Sequence, residues 1–400
     1  MIKTITNTTF TLGTIAVMNF ILVATVSKIL LKEGVSEMGL IVLGISFIVM
    51  INNLVGGSSL VYLASRKSIK SLLKISYSWA IISSLFMSAI LYVFDLAPRE
   101  YIIWILVIGF FECVFSIHNQ LFIGKEKMKF HNSLKLIQKI TQVVLFLVLE
   151  ISIHNFVFSL LLSYLAVLAF SFVFLFKLEN NEPEEEFGSL FKTAFNYGFQ
   201  IQSSNIVQLL NYRLLYFIID KTMGSVLGIF IVAVQLAESL WIPSKALAII
   251  QYGKVANEVN ETERKSLSLK FLKLSFFGTL GLFLILVLIP ESWILFFFGD
   301  DVKGVQPIIL ALGLGVISIA INQSFSHYLS GKGIYHYLIK ASAIGLITLI
   351  AFGWILINQY ELIGAGLATS LSYFASTLYL GYAFLKESKI SFSEFYKTNQ

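Results

Sequence analysis

Apolar stretches of about twenty residues recur along the whole length of this 400-residue chain. As a helix, each stretch is long enough to cross the roughly 30 Å hydrocarbon layer of a bilayer. A backbone inside lipid must satisfy its own hydrogen bonds, and an α-helix does so. Charged residues make up only 13% of the chain, too few to cover a soluble protein of this size. The sequence therefore predicts an all-α polytopic membrane protein.

Charged and turn-rich breaks divide the chain into twelve predicted transmembrane helices. Their approximate ranges are 10–31, 39–64, 72–96, 101–124, 133–153, 156–176, 191–219, 226–250, 268–290, 305–330, 333–357 and 362–386. With these helices, 22 of the 29 basic residues fall on one side and five on the other, while Arg213 and Lys245 lie inside helices. The excess of basic residues on one side places that side, and with it both termini, in the cytoplasm.

An acidic segment with Pro183 and five glutamates divides the chain nearly in half. We therefore predict four parts: an N-terminal six-helix bundle over 1–178, an acidic cytoplasmic linker over 179–188, a C-terminal six-helix bundle over 189–386 and a short cytoplasmic tail over 387–400. A solvated linker is the plainer interpretation of the acidic segment, and a regulatory or partner-binding role is the alternative. A weak repeat, Gly124-Lys125 and Gly331-Lys332 at the ends of the fourth and tenth helices, favours two homologous bundles around a central cavity.

Several classes of site are excluded by the residue inventory. Cys113 is the only cysteine, and the five histidines are scattered without a metal-ligand spacing. The sequence has no Walker A, GxGxxG, GxSxG or HExxH pattern. We therefore expect no metal, no cofactor and no enzymatic activity. Coupling of transport to an H⁺ or Na⁺ gradient stays open.

Polar side chains within the predicted helices are the candidates for lining a cavity, because polar groups are costly in lipid. The seventh helix carries the clearest pattern, a stripe of amides and one hydroxyl at about four-residue spacing. The cavity candidates are Asn19, Lys28, Asn52, Asn53, Asn196, Gln200, Ser204, Gln208, Asn211, Arg213 and Gln235. Arg213 and Lys28 fit either a cavity cation or an anchor that reaches the headgroup region.

Two carboxylates lie near the centres of predicted helices. Glu112 is central in the fourth helix and Glu238 in the eighth. Both are ion-coupling candidates, and each is alternatively one half of a buried ion pair. His118 and His327 are interpreted as hydrogen-bonding contacts between helices rather than as ligands.

Several stretches spread over the chain carry a resemblance to a known family. They are the turn Glu33–Leu40 after the first helix, the basic loop Phe122–Phe130 after the fourth, Val226–Ser239 in the eighth, Gly299–Gly333 and Ile363–Ala368. The chain resembles polysaccharide-export flippases of the multidrug/oligosaccharidyl-lipid/polysaccharide (MOP) exporter superfamily, in particular Wzx-like O-antigen flippases. Each motif reflects architecture, so no binding residue is carried over from the family.

The resemblance implies a flippase of the bacterial inner (plasma) membrane. Its expected substrate is a polyprenyl-pyrophosphate-linked oligosaccharide, an O-antigen or related surface-glycan repeat unit, moved from the inner to the outer leaflet by alternating access. Membrane lipids and a glycan polymerase machinery are the other expected partners, and nucleic acid is not. The alternatives are a multidrug or cation antiporter of the same superfamily and, third, a membrane-embedded glycan polymerase or ligase.

Overall fold

The computed structural model describes residues 2–29, 31–149, 151–175, 178, 182–223, 227–298 and 302–389. Within these residues the chain forms fourteen α-helices and one short 3₁₀-helix (Arg99–Tyr101), and no β-strand. The α-helices are α1 Ile2–Ile29, α2 Leu31–Gly56, α3 Ser59–Ala64, α4 Ile69–Val93, α5 Ile102–Gly124, α6 Met128–Val148, α7 Ile153–Leu175, α8 Phe187–Met223, α9 Leu227–Ser239, α10 Ile242–Asn257, α11 Glu261–Leu288, α12 Glu291–Phe298, α13 Val305–Gly331 and α14 His336–Ser388. The predicted all-α fold is confirmed.

Length and composition identify the helices that can cross a membrane. Seven helical segments of the described residues qualify, or eight if α9 and α10, which are bent by 46° at a short break, count as one span. One of the seven, α14, is 53 residues long and breaks at Glu361, where φ is 50° and ψ is −128°. This break separates the two predicted helices 333–357 and 362–386.

The chain divides into two compact units, Met1–Gln202 and Ser203–Gln400. Helix α8 belongs to both, because residues 187–202 fall in the first unit and 203–223 in the second. The predicted domain boundaries at 178 and 189 stay predictions.

Two local expectations were wrong. Residues 33–40, predicted as a turn, lie within α2, which begins at Leu31 and contains no proline that would stop the helix. The second predicted helix, 39–64, breaks after Gly56 and resumes as α3 at Ser59. Helix α12 was not anticipated, because its eight residues are too few to give a span.

Each unit has its own apolar core. In the first, Ile41, Leu72 and Phe122 are fully buried and hold α2, α4 and α5 together. In the second, Phe230 and Ile308 are buried in a cluster that joins α9, α13 and α14. Side chains packed between helices in this way stabilise the bundle where no water is present to drive burial.

The weak repeat seen in the sequence corresponds to matching contacts in the two units. A Cβ on Gly124, at the end of α5, would lie 2.7 Å from the carbonyl oxygen of Val61 in α3. A Cβ on Gly331, at the end of α13, would lie 2.6 Å from a methyl of Val255 in α10. In both units a glycine therefore lets the fourth long helix approach the segment that follows a broken second helix.

Candidate functional site

Helices α1 and α6 form one wall of a pocket within the first unit, of about 380 Å³. Its polar lining residues are Asn19, Ser46, Glu112, Gln138, Lys139, Gln142 and Tyr164. Its apolar lining residues are Leu22, Met38, Val42, Ile45, Phe156 and Leu160. We call this space the central pocket. It combines three amides, one cation and one carboxylate with apolar side chains from the same helices.

Four polar side chains of the central pocket are bonded in two pairs. Lys139 Nζ donates to Gln142 Oε1 at 2.9 Å. The hydroxyl of Tyr164 is hydrogen-bonded to the Glu112 carboxylate, and the charges of Glu112 and Lys139 attract each other. A half-buried carboxylate with a cation and a hydroxyl beside it is compensated, so Glu112 fits both alternatives that the sequence left open, an ion-coupling group and one half of an ion pair.

A second pocket, of about 390 Å³, lies along the same pair of helices. It is lined by Thr4, Asn7, Phe10, Thr11, Lys129, Asn132, Ser133 and Leu136. Asn132 Nδ2 donates to Thr8 Oγ1 at 2.8 Å, which ties α6 to α1. We call this the α1–α6 end pocket. In both pockets α1 and α6 contribute hydrogen-bonding side chains, and α6 contributes two lysines, Lys129 and Lys139.

The residues of the stripe predicted on the seventh helix lie in α8 and differ in burial. Asn196 is exposed and Gln200 is half-buried, both on the part of α8 that belongs to the first unit. In the second unit Gln208 is half-buried, whereas Ser204 and Asn211 are buried.

The two buried members of the stripe bond to α14. The Ser204 and Ser342 hydroxyls are 3.0 Å apart. Asn211 Nδ2 donates to the Ser342 carbonyl at 2.9 Å, and Ser372 Oγ donates to Asn211 Oδ1 at 3.3 Å. These hydrogen bonds join helices, as buried polar groups in membrane proteins commonly do.

The remaining candidates lie in different surroundings. Asn52 is fully buried, and neither its amide nitrogen nor its amide oxygen has a hydrogen-bond partner among the described residues. Asn53 and Glu238 are half-buried, and Gln235 is exposed. The side chains of Lys28 and Arg213 lie outside the described residues, so the alternatives stated for them stay predictions.

His118 has a defined hydrogen-bonding role between helices of the first unit. Its Nδ1 lies 2.7 Å from the Ser171 hydroxyl, which itself donates to the Leu168 carbonyl. Ser171 therefore accepts from Nδ1–H, and Nε2 is left to accept from the hydroxyl of Tyr77. A neutral ring with both nitrogens paired joins α4, α5 and α7, as the interpretation of His118 as an interhelical contact predicts.

The sequence reasoning missed the residues that α6 supplies. Gln138 and Gln142 were not among the candidates, and Lys139 was counted as a basic residue of the cytoplasmic side. The sequence did carry a signal for a polar interior, because Asn132, Gln138 and Gln142 are polar and share one helical face. In the structure all three side chains are buried. An amphipathic helix among uniformly apolar ones indicates a polar interior.

No protein-family model matches the chain, and no curated protein matches it. Solved structures do match over nearly its whole length. The MATE transporter VcmN of Vibrio cholerae in the bent form has a TM-score of 0.83 and 12% identity, over 100% of this chain and 98% of that one. A MOP superfamily transporter from Pyrococcus furiosus, described as having a binding pocket of reverse polarity, has a TM-score of 0.78 and 13% identity, over 97% and 96%. The MATE transporter ClbM in complex with Rb⁺ has a TM-score of 0.74 and 13% identity, over 99% and 94%. The chain therefore has the fold of MATE transporters of the MOP superfamily.

Proposed function

We propose that this chain is a membrane transporter that moves a polyprenyl-pyrophosphate-linked oligosaccharide from the inner to the outer leaflet. The observation that carries the proposal is the lining of the two pockets along α1 and α6. Between them they present five amide side chains, two lysines and a single carboxylate. That balance suits a substrate that is rich in hydroxyls and negatively charged.

The chemistry of the substrate explains why such a lining is needed. A glycan that enters hydrocarbon loses its hydrogen bonds to water, which costs several kcal/mol per unpaired polar group. Asn19, Gln138 and Gln142 can replace those bonds, since each amide both donates and accepts. Lys139 and Lys129 can form charge-assisted hydrogen bonds with phosphate oxygens. The apolar tail needs no such partners and can stay in the bilayer.

A multidrug or cation antiporter is the second candidate, and it is equally compatible with the fold. Glu112 is the observation that favours it, because a carboxylate in a pocket can bind a cation or a proton. In that case Lys139, which lies in the same pocket, would oppose a cationic substrate. The third possibility, a glycan polymerase or ligase, gains nothing from the fold, since the three similar structures named above are transporters.

Reconstitution of the purified chain in proteoliposomes distinguishes the first two candidates. We expect faster movement of a polyprenyl-pyrophosphate-linked oligosaccharide between leaflets than in protein-free vesicles, measured by accessibility of its glycan to an external lectin. The glycan-lipid proposal fails if the lipid-linked oligosaccharide stays in its leaflet while a proton or sodium gradient drives efflux of a cationic dye.

The orientation is part of the proposal. We place the protein in the bacterial inner membrane with both termini in the cytoplasm, because basic residues concentrate on that side of the predicted helices. A green fluorescent protein fused to the C-terminus should then be fluorescent in cells, and an alkaline phosphatase fused at the same point should be inactive. The reverse pair of results contradicts this orientation.

A further inference from the structure

An acidic segment of the first unit lies against a basic turn of the same unit. We define the acidic strap as residues 182–186, which include four glutamates, and the basic turn as residues 65–70, which run from the end of α3 into the start of α4. Lys67 Nζ lies 2.6 Å from Glu185 Oε1, and Lys70 Nζ lies 3.9 Å from Glu184 Oε1. The backbone N–H of Glu185 donates to Ser71 Oγ at 3.2 Å. The strap is therefore bound to the basic turn by its charges and to the first turn of α4 by its backbone.

The basic turn is held in place by its own contacts. The Arg66 guanidinium stacks over the Tyr62 ring at 4.1 Å and donates to the Tyr62 carbonyl at 3.2 Å. Ser68 caps α4 by accepting from the backbone N–H of Ser71. The turn therefore presents three cations, and no carboxylate of its own, at the positive end of a long helix.

The strap and the turn are complementary but weakly joined. The strap carries four glutamates and the turn three cations, and two ion pairs join them. The Lys70–Glu184 pair is mostly exposed, at 74% and 72%, whereas the Lys67–Glu185 pair is exposed by 33% and 28%. Ion pairs with this much contact with water are worth about fivefold or less in an equilibrium constant. A competing anion of similar charge density can therefore displace the strap.

We propose that the basic turn is a binding site for anionic phospholipid headgroups, and that the acidic strap occupies this site when such lipids are scarce. The position of the turn, together with two general properties of charged groups, favours lipid as the competitor. The turn follows a predicted transmembrane helix and lies on the side that basic residues assign to the cytoplasm. Each lysine or arginine near an anionic membrane surface contributes about fivefold to binding. Phosphate oxygens also suit the end of a helix and its neighbouring lysines.

The position of the strap then depends on the proportion of anionic lipid in the membrane. Because α8 begins at Phe187, directly after the strap, release of the strap frees the chain that leads into α8. The response of the strap to lipid does not depend on which substrate is transported.

A spin label on the strap of the full-length chain tests the proposal. Glu182→Cys places the label on an exposed residue of the strap. Cys113 is buried, so the unsubstituted chain serves as the labelling blank. We expect the immobilised fraction of the label to fall at least about fivefold between nanodiscs of phosphatidylcholine and nanodiscs rich in phosphatidylglycerol. An equal immobilised fraction in both lipids overturns the proposal.

Variants separate the site from general effects of charge. The double variant Lys67→Gln/Lys70→Gln should leave the label mobile in both lipids, while Lys192→Gln, an exposed lysine of α8, should behave like the parent. Glu185→Gln should free the strap and raise the amount of phosphatidylglycerol that co-purifies with the protein. A lipid response that persists in the double variant overturns the site. Release by inorganic phosphate in phosphatidylcholine, at matched ionic strength, overturns the assignment to lipid.

Discussion

Replacement of Gly198 by alanine probes how α8 is attached to the first unit. A Cβ on Gly198 would lie 2.0 Å from the carbonyl oxygen of Leu54 and 3.0 Å from that of Asn53, both in α2. An ordinary contact distance is about 3.5 Å, so α8 and α2 must separate by roughly 1.5 Å. Neither obstacle is a flexible side chain, so the backbone itself must move.

The cost of that separation follows from the contacts near Gly198. Overpacking alone costs about 1–3 kcal/mol. Separation also weakens the hydrogen bond from Gln202 Nε2 to the Met50 carbonyl, 2.9 Å long, which is worth about 1 kcal/mol. The edge-on contact of Trp79 with Phe195, at 6.1 Å, adds about 1 kcal/mol. We expect a total loss of about 3–5 kcal/mol.

Thermal unfolding of the detergent-purified protein measures this loss. At about 2–4 °C per kcal/mol, Gly198→Ala should lower the apparent melting temperature by roughly 6–20 °C. Gly13→Ala is the matched control, because Gly13 lies inside α1 and a Cβ there meets nothing within 4 Å. A melting temperature of Gly198→Ala within about 1 °C of that control refutes the packing argument. Gly198 would then serve as a flexible point of α8, and the alanine would change transport without changing the melting temperature.

Three further substitutions test the pocket and the hydrogen bonds between helices. Lys139→Gln should slow transport of the phosphate-linked substrate at least about tenfold and, because it leaves Glu112 without its cation, should also lower the melting temperature, and Lys192→Gln should do neither. Asn211→Ala removes the bonds to Ser342 and from Ser372, and should destabilise the protein by about 1–3 kcal/mol in thermal unfolding. Tyr77→Phe leaves one buried nitrogen of His118 without its donor and should cost a similar amount, about 1–3 kcal/mol; an unchanged melting temperature would mean that the hydroxyl is not its partner.

The fold could be predicted from hydropathy and charge because the membrane imposes both patterns. Apolar runs and the asymmetry of basic residues identify the helices, and Gly124 and Gly331 mark the repeat. Local breaks were harder to place. The break at Glu361 falls between two predicted helices, in the polar run 358–361, whereas the break after Gly56 lies inside the predicted helix 39–64, where no charged residue marks it.

The candidate site could be predicted only in part. Glu112 and Asn19 were found, because a polar residue within a long apolar helix is conspicuous. Gln138 and Gln142 were missed, because α6 has polar residues throughout its first half, and this pattern is also typical of the edge of a basic loop. Spacing placed Asn211 on the same stripe as Asn196, but spacing cannot tell a side chain that bonds to a neighbouring helix from one that faces a cavity.

The central claim is that the pockets along α1 and α6 receive a hydrophilic headgroup, and cysteine accessibility with substrate protection tests it most directly. Gln142→Cys lies in the central pocket, whereas Val144→Cys, on the same helix, replaces an apolar side chain that is 51% exposed. With a membrane-impermeant thiol reagent, we predict that Gln142→Cys is labelled, that lipid-linked oligosaccharide slows its labelling, and that Val144→Cys is not labelled. Failure of Gln142→Cys to react, or labelling that the substrate does not slow, would contradict the account.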